Sequence, residues 1–363
     1  MRENRLQWTV GRCWTAPAGK GPAEKAGDAR GLLVALQARV FPALLLAVTL
    51  GALQACAHEV GPRHGLYMSM RYTYYAALPR DAGALREEAH EMVLPELGVF
   101  DPRTVTFTDF AGTVRVPVGP NAPRDDRKHE ALADLPRRCR TVFGEQVRVL
   151  AWIFLSRTGP ERTGSPRADT AIPVFDPADP RHRAALVTAV QHLHGLGFDG
   201  VQLDLEPFPV ADVAHVVDLL EEIREATGPE FARSVFCPKY VPTTDARLHP
   251  GFTWSSPRAY RRLARHGEQV VIPLYDFGAI ADTEEAYRTL VLEAVRVLPH
   301  RIRAARKYWL ALPTYRHTAQ HPPTEEAATA LALIAHMRPR PGGVLFFVHT
   351  GEPLDYVPGV LPR

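Results

Sequence analysis

Residues 197–207, Gly197-Phe198-Asp199-Gly200-Val201-Gln202-Leu203-Asp204-Leu205-Glu206-Pro207, decide how the rest of this chain is read. Val201, Leu203 and Leu205 alternate with Gln202, Asp204 and Glu206, the period-two pattern that puts apolar and polar side chains on opposite faces of a strand. Pro207 ends the run, because a proline has no N–H to give to a ladder. Asp204 and Glu206 therefore stand side by side at the C-terminal end of a strand, a place where packing alone gives no reason for two carboxylates. A strand running out into a polar loop would account for an isolated Asp-x-Glu; the full phrase is rarer and reads as a site.

Outward from this stretch, strand-like and helix-like runs alternate. The pattern predicts strands over Gly65–Tyr72, Thr104–Phe110, Gln146–Phe154, the quoted run, Ser234–Val241, Gln269–Asp276, Tyr308–Tyr315 and Val344–His349. Between them it predicts helices near Ala82–Leu97, Lys128–Thr141, Arg181–Leu196, Val210–Thr227, Arg258–His266, Asp282–Leu298 and Thr324–Arg338. Eight strands separated by seven helices predict an α/β fold, a closed (β/α)8 TIM barrel rather than a doubly wound sheet. About fourteen residues follow the last strand, so the eighth helix is expected to be reduced or absent, with another segment covering that face.

The chain has 363 residues, 46% hydrophobic and 23% charged, enough to build a large core and too apolar for a disordered chain. Residues 1–56 read as a leader and residues 57–363 as a single barrel domain. Val40–Ala55 is an apolar run of sixteen residues behind Arg30 and Arg39, short for a membrane span and suited to a signal-peptide core. Leu53-Gln54-Ala55-Cys56 looks like a bacterial lipobox, with Gln54 atypical, so Cys56 is the expected lipidation site; ordinary secretory cleavage with Cys56 incidental is the alternative. A start near Val34 would leave a more usual signal peptide, which makes residues 1–33 a candidate mis-assigned start. The expected address is export and anchoring to the cell envelope, with Ala57 after the cysteine favouring the outer membrane in a Gram-negative host.

The net charge of +3 belongs to this leader, which carries seven basic and three acidic side chains; 36 basic and 37 acidic remain beyond it. A near-neutral domain gives no reason to expect a nucleic-acid partner. Cys139 and Cys237 are the cysteines of the barrel, an exported chain could join them, and neither has metal-ligand spacing. His192 and His194 read as helix-surface residues rather than metal ligands, and no metal or organic cofactor is expected.

The quoted phrase resembles the signature of glycoside hydrolase family 18, the chitinase-like family: Asp-Gly-x-Asp-x-Asp-x-Glu on the fourth barrel strand. Asp199, Gly200, Asp204 and Glu206 match it, and Gln202 stands where the family usually has Asp. Pro273-Leu274-Tyr275-Asp276 is similar to the family's Met-x-Tyr-Asp, Leu312-Pro313-Thr314-Tyr315-Arg316 to its Leu-Pro-Phe-Tyr-Gly, and Gly342-Gly343-Val344-Leu345-Phe346-Phe347 to its Gly-Gly-x-Met-x-Trp. The four segments fall in order over about residues 65–350.

The resemblance implies a retaining glycosidase acting on N-acetylhexosamine-containing polysaccharide or oligosaccharide, peptidoglycan- or chitin-like. In this family the substrate's own N-acetyl group is the nucleophile. Glu206 would be the general acid and then the base, Asp204 would hold the acetamido N–H, and Tyr275 would hydrogen-bond the acetamido carbonyl. Gln202, Asp276, Tyr315, Phe347 and Trp152 are the candidate substrate-binding residues, the aromatics by stacking on sugar faces. Asp199, at the buried start of the strand, reads as serving the fold.

Three departures matter. Gln202 cannot share a proton with Asp204 as an aspartate would, so the pH profile should shift. The third strand, around Leu150-Ala151-Trp152-Ile153, lacks the family's Ser-x-Gly-Gly, and Phe347 replaces a tryptophan. These point away from chitin itself. The alternatives are a non-catalytic glycan-binding relative, against which the presence of Glu206 counts, and a glycosidase of neutral sugars using a different carboxylate pair.

Overall fold

The computed structural model describes residues 63–68, 91–109, 115–120, 127–158, 172–242, 251–313 and 324–349. The leader, Cys56, Tyr315, most of the helix expected near 82–97 and the segment after the last strand lie outside these residues.

In chain order the strands are β1 (Arg63–Met68), β2 (Met92–Asp101), β3 (Thr106–Thr108), β4 (Arg115–Pro117), β5 (Arg148–Ser156) and β6 (Gly200–Glu206). They continue with β7 (Ala232–Phe236), β8 (Lys239–Tyr240), β9 (Thr253–Trp254), β10 (Gln269–Pro273), β11 (Tyr308–Pro313) and β12 (Gly343–His349). The order β1-β12-β11-β10-β7-β6-β5-β2 is parallel throughout, and β1 also pairs with β2, which closes eight strands into a barrel. Helices α1 (Arg127–Phe143), α2 (Pro180–Gly195), α3 (Val213–Thr227), α4 (Pro257–His266), α5 (Glu284–Ile302) and α6 (Ala327–Ala335) lie between the strands in sequence. The expected (β/α)8 architecture is thus the observed one.

Strand alternation builds two cores. Val149, Ala151, Ile153 and Leu155 of β5 and Val201, Leu203 and Leu205 of β6 share an outer core with helix residues such as Leu186, Leu193, Val216 and Leu220. The intervening residues fill the lumen, where Tyr67, Leu94, Leu150, Trp152, Phe236, Trp309 and Leu345 form a second cluster. Each fully buried large apolar side chain contributes roughly 1.5–3 kcal/mol over an exposed one. Gly200 is required at the foot of β6, because a Cβ there would lie 2.5 Å from the backbone oxygen of Ala232 on β7.

Helix starts follow their sequence signals. Asp179 accepts from the Arg181 N–H at 2.8 Å ahead of α2, and Thr283 accepts from the Ala286 N–H at 3.1 Å ahead of α5.

The second barrel strand departs from expectation. The sequence pattern places a helix to Leu97 and a strand at Thr104–Phe110, whereas the barrel strand is β2 and Thr106–Thr108 pairs antiparallel with it as the hairpin strand β3. Residues 92–100 are buried on both faces apart from Glu96, so no alternation marks them as a strand, and an Ala- and Glu-rich stretch with high helix propensity precedes them. Cys139 and Cys237 are both free and buried rather than joined.

Candidate active site

Asp204 and Glu206 stand at the top of β6, with Gln202 one step below on the same face. Asp204 is 3% exposed. Trp152, on the neighbouring β5, donates its indole N–H to Oδ2 of Asp204 at 3.0 Å. Oδ1 is buried and has no hydrogen-bond partner among the described residues. A buried carboxylate oxygen without a donor is costly to keep, and its position in the lumen suits an incoming N–H.

Trp152 is 6% exposed, and its ring packs edge-on against Tyr67 with centroids 4.9 Å apart. Its indole N–H is engaged by Asp204. Gln202 is fully buried; its amide donates to the Tyr67 hydroxyl, and its oxygen accepts from the Ser234 hydroxyl at 3.0 Å. These bonds occupy both ends of the amide, so Gln202 belongs to the floor beneath Asp204.

Both carboxyls hold their protons more tightly than usual. Burial pushes the Asp204 carboxyl well above the ordinary carboxylate range, helped by the charge of Glu206 and of Glu96 and opposed by the Trp152 hydrogen bond. Glu206 is partly exposed; desolvation raises its proton affinity, Lys239 lowers it and Asp276 raises it. Asp204 is the deeper of the two and the more strongly raised.

Two further carboxylates belong to the surroundings. Glu96, on β2, pairs in register with Trp152 and is half-buried between buried neighbours on both sides. Glu325, just before α6, is 5% exposed and accepts the backbone N–H of Asp276 at 2.5 Å and of Phe277 at 2.7 Å. The sequence reading found neither. Glu96 lay in a stretch assigned to a helix, and Glu325 resembles an ordinary acidic helix start. Lys239, Glu206, Phe236 and Phe252 line one cleft at the mouth.

Tyr275 is 3% exposed and belongs to the lumen cluster with Trp152, Tyr67 and Phe236. Asp276 follows with φ 59°, a left-handed conformation uncommon for a residue with a side chain. Asp204, Glu206, Tyr275 and Asp276 are thus brought to one end of the barrel. The register of β12 sets the Phe347 backbone opposite Pro313, and Tyr315 lies outside the described residues.

Asp199 points away from this site. Its Oδ2 accepts the Val149 N–H at 2.7 Å and the Arg140 guanidinium at 2.7 Å, tying the start of β5 and α1 to β6, as its fold-serving reading requires. His192 faces His129 with ring nitrogens 3.0 Å apart between α2 and α1. Among the described residues no group of three or more His, Cys, Asp or Glu side chains could hold a metal ion.

No family model and no curated protein matches the chain. Among solved structures it is similar to the spore cortex-lytic enzyme SleL of Bacillus megaterium, at 12% identity and TM-score 0.49, over 81% of this chain and 71% of that one. It is also similar to a chitinase from Chromobacterium violaceum, at 13% identity and TM-score 0.47, over 83% and 96%. A third is a fungal endo-β-N-acetylglucosaminidase from glycosyl hydrolase family 18, at 14% identity and TM-score 0.45, over 78% and 89%. Likeness at this distance is one of fold.

Proposed function

We propose that this protein is a retaining glycosidase of N-acetylhexosamine-containing glycans that works by substrate assistance. The observation that carries the reading is Asp204: held by Trp152 through one oxygen, it leaves the other buried in the lumen beside Glu206. That oxygen is suited to accept the acetamido N–H of a bound sugar. The acetamido carbonyl oxygen would then attack the anomeric carbon as the bond to the leaving oxygen breaks, and Glu206 would give that oxygen its proton. Tyr275 would donate to the same acetamido group. Glu206, now ionised, would take a proton from water as water opens the oxazolinium-like intermediate at the anomeric carbon, with net retention.

The electrostatics support this division. Glu206 must be protonated to start, and desolvation together with Asp276 favours its protonated form. With the lipobox-like sequence, the same reading makes the protein an exported, lipid-anchored enzyme of the cell envelope.

The test compares wild type with Glu206→Gln on fluorogenic N-acetylglucosaminide oligomers and on peptidoglycan. Cleavage that disappears in the variant is the expected result. Glycan binding without cleavage, unchanged by the substitution, would instead define a binding protein. Glu96 gives a second reading its footing, since it is another carboxylate whose charge reaches Asp204. Hydrolysis of sugars lacking an N-acetyl group, abolished by Glu96→Gln, would favour that reading.

A further inference from the structure

Residues 274–281 follow the C-terminal end of β10, and they are held from several directions. The Leu274 N–H bonds to the Ala311 carbonyl at 2.9 Å, and the Tyr287 hydroxyl of α5 donates to the Leu274 carbonyl at 2.9 Å. Further along, the N–H groups of Asp276 and Phe277 point to the two oxygens of a single carboxylate, Glu325. Thr324, the neighbour of Glu325, donates its hydroxyl to the Ala281 carbonyl at 2.6 Å. Two consecutive residues of the segment before α6 thus fasten both ends of the turn.

Surface loops do not usually enlist a buried carboxylate for this. Glu325 is 5% exposed, and burying a charge is unfavourable unless donors are aimed at it. Here the donors belong to the residues immediately after Tyr275, one of them in the left-handed conformation at Asp276. We infer that Glu325 is a positioning residue, whose carboxylate fixes the turn Tyr275–Phe277 and so sets where the Tyr275 hydroxyl and the Asp276 carboxylate stand in the site. The inference rests on the proposed glycosidase reading for its catalytic consequence, and on the hydrogen bonds alone for the clamp.

The clamp needs both oxygens as acceptors, which an ionised carboxylate supplies and a protonated one does not. Burial, opposed by the two backbone N–H bonds, with Asp276 adding to it and Lys239 opposing it, leaves the Glu325 carboxyl pushed up to about 7. The phenol of Tyr287, on α5, also lies within electrostatic reach of it. Acid should therefore loosen the turn in wild type, and Glu325→Gln should loosen it at every pH, because its amide NH2 meets one of the two N–H groups donor to donor.

The experiment is hydrogen exchange at the Asp276 and Phe277 amides of the full chain, corrected for intrinsic rates, from pH 5.5 to 8. It is run beside hydrolysis of the same fluorogenic oligomers. E325Q is expected to exchange these amides about 10-fold faster or more, the scale of one lost hydrogen bond to a charged group. Its kcat should fall about 10-fold with KM within about twofold, and its rate should lose the part of the acid limb that Glu325 is expected to give the wild type. Protection and kcat both unchanged in E325Q would overturn the inference. If E325Q does not fold, protection in wild type that fails to fall between pH 8 and 5.5 would overturn it. If wild type hydrolyses no glycan yet E325Q frees the two amides, the clamp stands and the glycosidase reading falls.

Discussion

The indole N–H of Trp152 reaches across one strand to Asp204 at 3.0 Å, so the residue that holds the deepest carboxylate of the site sits on β5, two register positions below it. Trp152→Phe keeps the ring and removes the donor, leaving Asp204 Oδ2 buried without this partner. A loss of about 1–3 kcal/mol in transition-state stabilisation is expected, or roughly 5- to 150-fold in kcat/KM, read from steady-state kinetics. Because the donor favours the ionised form, the acid limb of the variant's pH profile should move upward. An unchanged profile would mean that the bond does not steer Asp204.

Glu206→Gln should lower the rate by at least about 10²-fold, the usual scale for a lost general acid, while the thermal midpoint stays close to wild type. A variant that retains its rate would remove Glu206 from the chemistry.

Asp204→Asn should do the opposite to stability and to rate. The folded state holds the Asp204 proton above its unfolded value, so wild-type stability falls as pH rises through that window. The amide has no proton to lose. Its melting temperature should match wild type near pH 4 and exceed it at pH 8, by about 2–4 °C for each ~1 kcal/mol in a domain of this size. The rate should meanwhile collapse. Calorimetry at the two pH values checks the sign.

Asp199→Ala removes the acceptor that ties the Val149 N–H and Arg140 to β6. A destabilisation of about 1–3 kcal/mol is expected with little change in kcat per folded molecule. Denaturant titration gives the first quantity and active-fraction-corrected kinetics the second.

The thiols of Cys139 and Cys237 should resist labelling in the native protein and react once it is unfolded. Burial pushes Cys139 up to about 12 and raises Cys237 as well, so little nucleophilic thiolate is available. Mass spectrometry of labelled peptides resolves the two sites. Rapid native labelling of either would contradict the buried, free arrangement.

Much of this architecture was legible because β6 announces itself: one face must be apolar against helices and the other carries acids, so the alternation is strict. β2 was not legible, because it is buried on both sides and contains Pro95 and Gly98, which read as breakers. Glu96 was lost with it. Trp152 was found as an aromatic near a strand end, but its task depends on a partner 52 residues away in sequence. Glu325 shows the limit most plainly. Thr324-Glu325-Glu326 resembles a helix start, and what it does is decided by two N–H groups 49 and 48 residues earlier. Local pattern records what a strand or helix must bury; it carries no trace of which distant backbone will come to meet a side chain.

The two cores of the barrel give the chain a division of labour at single-residue spacing. Along β6, every second position answers to the helices and every other one to the lumen and the candidate site. Substitutions among Val201, Leu203 and Leu205 can be traded against helix neighbours without the lumen sensing them, while a change at Gln202 or Asp204 is felt in the lumen before the helices notice. A protein built this way can alter its durability and its chemistry on separate schedules, although the letters of both are interleaved on one strand.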